Sequence, residues 1–163
     1  MNWNIRPATS DDAKTLFDLI YQLAIYEKLE DEVVSTHKCI AEAIDSGHAA
    51  ALLAESEEAE AGTKQAVAFA LYFYKFSTFT GTSVLHLEDL FVLPSLRGKG
   101  IGKALLLQVA QVARDQNCAR MEWHVLDWNQ PAIDFYESLG THIHRDWLLA
   151  RLDKDGLAKV EKM

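Results

Sequence analysis

The segment Arg97-Gly98-Lys99-Gly100-Ile101-Gly102 constrains this chain more than any other. Its three glycines stand between a β-prone run ending at Val92 and a run with helical spacing: Ile101, Leu105, Leu106, Val109, Val112 and Ala113. Glycine lets the backbone take positive φ and approach a ligand closely. A helix start adds unpaired N–H donors and the positive end of the peptide dipole. Strand, glycine loop and helix together make an anion site suited to phosphate, and Arg97 and Lys99 add cationic side chains. Two nucleotide-binding loops fail on spacing. A P-loop counted back from Gly102-Lys103 needs glycine where Arg97 stands, and Ala104 replaces its Ser/Thr. A dinucleotide fingerprint starting at Gly98 needs a third glycine where Lys103 stands.

The rest of the chain supplies a mixed α/β pattern. Asn4 to Arg6 reads as a short strand stopped by Pro7, and Thr9 with Asp12 as a helix start. Ala13, Leu16, Phe17, Ile20, Leu23 and Ala24 share one helical face. A second helix starts at Ser35 or Thr36 and stops at Gly47. Strands are expected at Ala49 to Glu55, Gln65 to Tyr74 and Ser83 to Val92, with an acidic loop from Glu55 to Lys64 and a hairpin connection from Lys75 to Thr82. Arg120 to Leu126 reads as a strand. Asn129 caps a further helix, with Pro131 in its first turn and Gly140 at its stop. His142 to Leu152 reads as one more strand or a bent pair. An antiparallel meander thus leads into a βαβ-like half, within a single domain over residues 1–163.

Composition narrows the partners. A net charge of −8 handicaps nonspecific nucleic-acid binding and favours a cationic substrate. No apolar run is long enough to span a membrane, and Met1 to Arg6 holds no signal-peptide stretch. Cys39 and Cys118 are isolated and read as reduced structural residues, which points to the cytoplasm. The six histidines are scattered, so no metal site is expected, and no Ser/His/Asp or Cys/His nucleophile pattern is present.

Arg97, Gly100 and Gly102 form an Arg-x-x-Gly-x-Gly pattern that resembles the pyrophosphate loop of the GNAT acetyltransferase superfamily. Ile5-Arg6-Pro7-Ala8-Thr9 resembles that family's opening strand and cap. Leu87-Glu88-Asp89-Leu90-Phe91-Val92 resembles its central strand, and Trp128 to Tyr136 its last major helix. The last two segments are similar to the diamine acetyltransferase group. Val125 to Gln130 and Ser77-Thr78-Phe79 are most similar to its thialysine-acetylating branch. The resemblance implies a GNAT acyltransferase fold with a partly splayed mixed sheet flanked by helices. It also implies acetyl-CoA as co-substrate, a homodimer, and direct attack of a primary amine on the thioester.

That reaction has two proton problems. A lysine-like ammonium has pKa about 10.4, so the neutral nucleophile costs about 4–5 kcal/mol at pH 7. Glu88, in an apolar strand where partial burial raises its pKa, is the expected base; the resemblance has it act through a water. Tyr136 is the expected acid for the departing thiolate, with Phe135 beside it as core. The resemblance assigns acetyl-CoA to Arg97, Gly98, Lys99, Gly100, Ile101, Gly102 and Lys103, with Asn129 and Tyr136. It adds the backbone of Leu90, Phe91 and Val92, where the pantetheine arm lies like an extra strand. Tyr26 and Glu27 match the family's substrate-contacting pair; in a regular strand Glu88 and Asp89 point to opposite faces, so one of them is expected to bind substrate too, an assignment that a bulge would change. A carboxylate and an aromatic face suit an ammonium, whereas Glu30 to Glu32 read as a solvated run. Phe73 to Phe79 lacks the acid that the polyamine-acetylating branch carries, which favours a lysine-like or other short amine. Acetylation of a protein N-terminus or lysine, and a non-catalytic acyl-CoA sensor, are the alternatives.

Overall fold

The computed structural model describes residues 2–56 and 64–160. Contacts divide the chain into two compact units, Met1–His124 and Val125–Met163. The first holds a five-stranded sheet in sequence order: β1 (Trp3–Pro7), β2 (Ala50–Ser56), β3 (Gln65–Ser77), β4 (Thr82–Val92) and β5 (Met121–Glu122). β1 to β4 are antiparallel neighbours and β5 joins β4 in parallel, so the sheet is mixed.

The central strands are apolar on both faces because helices cover both. α1 (Ala13–Glu27) sets Leu16 and Leu19 against Ala51, Leu53, Phe69, Leu71 and Phe91. On the other face lie Ala54, Ala68 and Ala70, whose small side chains let α3 (Ile101–Asp115) come close. A Cβ built on Gly102 would stand 3.4 Å from Val92 Cγ2, so the start of α3 lies on β4. Burying Leu105 and Val109 completely under α3 is worth about 1.5–3 kcal/mol each. α2 (His37–Asp45) begins at Thr36, whose hydroxyl accepts the Cys39 N–H, and is followed by Gly47 at φ 73°. Arg6 ties the opening strand down. It donates to Asp12 at 2.7 Å and to Glu55 at 2.7 Å, while Asp12 also accepts the Thr9 N–H at 2.9 Å.

Several sequence expectations need correction. α1 runs past Ala24 to Glu27 because Lys28 takes the left-handed conformation, φ 61°, that a glycine usually supplies at a helix end. Tyr26 and Glu27 therefore sit in its last turn. The strand expected over Arg120 to Leu126 narrows to Met121–Glu122. The loop expected from Glu55 to Lys64 lies mostly outside the described residues, and Glu55 itself ends inside β2. Cys39 is an exposed free thiol.

The second unit contains α4 (Gln130–Ser138) and α5 (Lys154–Val160). No strand forms between His142 and Leu152, contrary to expectation. A strand exists only by pairing; this stretch has no ladder partner, and Leu148 is 92% exposed. α5 was not expected. Its signal was Asp153, whose carboxylate accepts the Gly156 N–H at 2.7 Å as an N-cap does.

Candidate active site

The glycine loop adopts the backbone its composition demands. Gly98 and Gly100 have φ of 74° and 86°, and Gly100 is the cap residue of α3. The N–H groups of Ile101, Gly102 and Lys103 open that helix and have no acceptor within it. Nothing stands within 4 Å of a Cβ built on Gly98 or Gly100, so open space lies above the loop. Lys99 and Lys103 are exposed beside it. These features fit a pyrophosphate. Arg97 does something further: its Nε donates to the Val92 carbonyl at 3.1 Å, and its guanidinium lies 4.2 Å from the Tyr26 ring centroid and 5.6 Å from that of Phe91.

β4 carries the second part of the site. Its pairing with β5 spans only Leu85↔Met121 and His86↔Glu122, so the strand runs on through Leu90, Phe91 and Val92 beyond its parallel neighbour. On the β3 side Leu71 pairs with Asp89 and Tyr72 with Leu87, which leaves Glu88 as an extra residue in a β-bulge. The bulge reverses the expected burial. Glu88 turns outward and its side chain is 54% exposed, so the partial burial expected of it is not found. Asp89, opposite Leu71 on the α1 face, is the half-buried one of the two. Desolvation, with Glu88 and Glu27 adding like charge, pushes the Asp89 carboxyl up to about 7. Burial also raises Glu27. Three carboxylates and Tyr26 thus gather where the end of α1 meets the bulge.

The structure brings Tyr26, Arg97 and Phe91 together, and Glu27 with Glu88 and Asp89. In the second unit, Asn129 caps α4 through its carbonyl, which accepts from Ala132 and Ile133 at 3.0 Å each. Its side chain does not make the capping bond expected of it. Tyr136 is 8% exposed and its ring lies tilted against Phe135, centroids 5.3 Å apart, so the buried ring is the tyrosine and Phe135 is only half-buried.

Sequence reasoning missed a histidine pair. His86 is buried beside Phe73, with ring centroids 5.0 Å apart, and its ring lies 5.2 Å from His124. A histidine at a core-facing strand position was the available signal.

Comparison with known proteins fits this geometry. The profile of the Acetyltransferase (GNAT) family matches residues 14–141. A thialysine N-epsilon-acetyltransferase of Caenorhabditis elegans is 35% identical over 138 residues, covering 85% of this chain and 82% of the relative. An L-ornithine N5-acetyltransferase of Arabidopsis thaliana is 39% identical over 95 residues, covering 58% of this chain and 42% of that protein. Among solved structures, an integron cassette protein from the mobile metagenome of V. cholerae superimposes with a TM-score of 0.77 at 25% identity, covering 100% of this chain and 99% of the other. The chain belongs to the GNAT acetyltransferase family. It is an N-acetyltransferase, and acetyl-CoA is the family's acetyl donor.

Proposed function

We propose that this enzyme acetylates the side-chain amine of a small amino acid of the lysine or ornithine type. One observation carries the reading: Glu27, in the last turn of α1 after Tyr26, and Glu88 both act on the Asp89 carboxyl, an acidic group suited to one ammonium. A carboxylate cluster attracts the cation, and Tyr26 offers it a ring face. Names of similar proteins, which act on thialysine and ornithine, support a substrate of this class.

In this reading acetyl-CoA supplies the activated acetyl group. Arg97 through Lys103 and Asn129 hold it, and the edge of β4 at Leu90, Phe91 and Val92 aligns its arm. Asp89 and Glu27 bind the ammonium. Glu88, outward on the bulge, takes the proton directly or through a water, freeing the nitrogen lone pair for attack on the thioester. The Tyr136 phenol donates to the departing sulfur. The proposal includes a single catalytic domain over 1–163, supported by a family match that spans both units. It also includes a homodimer working in the cytoplasm without nucleic-acid or membrane partners. The charge of −8, which disfavours nucleic acid, supports that last part.

A screen of thialysine, lysine, ornithine, putrescine and spermidine with acetyl-CoA, following free thiol release, tests the reading. The expected result is highest kcat/KM on an amino-acid amine. Activity confined to peptides or to polyamines overturns it.

A further inference from the structure

His86 is 5% exposed, and its Nδ1 is buried with no hydrogen-bond partner. Its other nitrogen, Nε2, stands 3.6 Å from Glu88 Oε2. Phe73 on β3 and His124 just past β5 hold the ring plane from two sides, at 5.0 and 5.2 Å. A buried polar atom left unpaired costs free energy, so its persistence here calls for a physical reason.

We propose that His86 is a positioning residue for Glu88: its Nε2–H orients the Glu88 carboxylate and holds it ionised until the amine proton arrives. The proposal rests on Glu88 as proton acceptor. The tautomer argument is direct. A neutral imidazole carries one hydrogen. On Nδ1 it leaves a buried donor without an acceptor and aims the Nε2 lone pair at a carboxylate. On Nε2 it leaves only a bare acceptor at Nδ1 and points a donor at Glu88. The second arrangement has one fault where the first has two.

The charged groups around the ring agree with this assignment. Lys75 from β3 pairs with Glu122 on β5, and Glu122 also accepts from Arg120 at 2.6 Å. Those charges satisfy one another and leave Glu88 as the carboxylate that His86 addresses. Burial lowers the His86 pKa and keeps the ring neutral; Lys75 and His124 act in the same direction, while Glu88 and Glu122 oppose it. At 3.6 Å the contact is longer than a formed hydrogen bond. The exposed Glu88 side chain has room to rotate and close it, and such contacts commonly tighten when substrate binds.

A donor to the charged form of a carboxylate lowers its proton affinity. Removing His86 should therefore move the acid limb of kcat to higher pH, read at saturating amine so that the neighbouring Asp89 and Glu27 carboxyls act through KM alone, which loss of packing does not do. The test compares His86→Phe, His86→Gln, Glu88→Gln and the double variant His86→Phe/Glu88→Gln across pH. His86→Phe should lose roughly tenfold in kcat/KM, the scale of one hydrogen bond to a charged group, with the acid limb raised. His86→Gln keeps a donor and should restore most of both. In the Glu88→Gln background His86→Phe should add nothing. An unshifted His86→Phe profile beside an impaired Glu88→Gln enzyme overturns this proposal alone. A Glu88→Gln enzyme with wild-type rate overturns the base assignment and this proposal with it. Long-range nitrogen–proton NMR on the unmodified protein needs no variant: the hydrogen is expected on Nε2, and an Nδ1–H tautomer overturns the inference.

Discussion

The Arg97 guanidinium lies 4.2 Å from the ring centroid of Tyr26, so the loop that opens α3 touches the last turn of α1. The same side chain donates to the Val92 carbonyl at the end of β4. Three elements thereby meet on one cation. The proposed acetyl-CoA loop and the proposed amine pocket share that contact, and disturbing either partner should be felt at both.

Tyr26→Leu should weaken CoA binding even though Tyr26 lies outside the glycine loop. An exposed cation–π contact is worth about 0.5–1 kcal/mol, or roughly 2- to 5-fold in Kd. Calorimetry with CoA measures this, and unchanged affinity in a folded Tyr26→Leu protein would show that the stack is incidental.

Asp89 makes stability and activity oppose each other. Its folded pKa of about 7 lies above the ordinary 3.8, so between those values the folded protein keeps a proton that the unfolded chain has released. The stability tied to that proton is fully present below pH 4 and is lost as pH rises through 7. The loss is on the order of 2–4 kcal/mol. Asp89→Asn should accordingly melt several degrees higher than wild type at pH 8 and show little difference at pH 4. In the proposed function amine binding runs the other way, because an ammonium needs the Asp89 carboxylate ionised, so the amine KM should climb as pH falls below 7. Melting curves at both pH values, with the KM profile, check both signs. A Tm difference independent of pH contradicts the assignment.

Tyr136→Phe keeps the buried ring and removes its phenol. If that phenol serves the departing sulfur, kcat should fall by about 10²–10³, with CoA affinity held. Wild-type turnover in this variant would reduce Tyr136 to packing.

What the sequence reveals depends on how local the cause is. The glycine loop was legible because positive φ at Gly98 and Gly100 is a property of single residues. The helix faces of α1 and α3 were legible because period 3.6 shows in one segment. The bulge at Glu88 was not. Leu87-Glu88-Asp89-Leu90 suits either face, and the register that decides it belongs to the pairing with Leu71 and Tyr72 on another strand. The expected strand from His142 to Leu152 failed for a related reason, since its apolar residues say nothing about a partner edge.

In the proposed function, substrate choice turns on the hairpin between β3 and β4. No acid stands from Phe73 to Phe79, while the proposed pocket of Tyr26, Glu27, Glu88 and Asp89 serves one ammonium. A polyamine gains from carboxylates spaced along its length; a lysine-like amine needs only the reacting end held. One missing charged contact costs a polyamine about 1–3 kcal/mol, or roughly 5- to 150-fold. Thialysine should therefore exceed spermidine in kcat/KM. Supplying the acid should narrow that gap, and its position matters. Ser77 is buried, and its hydroxyl accepts the Thr80 N–H at 3.4 Å, so a charge there disturbs the turn. Thr78 is the next residue and is exposed. Thr78→Asp should raise spermidine kcat/KM while leaving thialysine within about twofold, because the α-ammonium and α-carboxylate at its far end nearly cancel in the field of the new charge, whereas spermidine presents only ammonium groups. Parallel kinetics on the two amines decide the matter. A preference for spermidine in the unmodified enzyme, or equal gains for both amines in Thr78→Asp, would show that the hairpin does not set the choice.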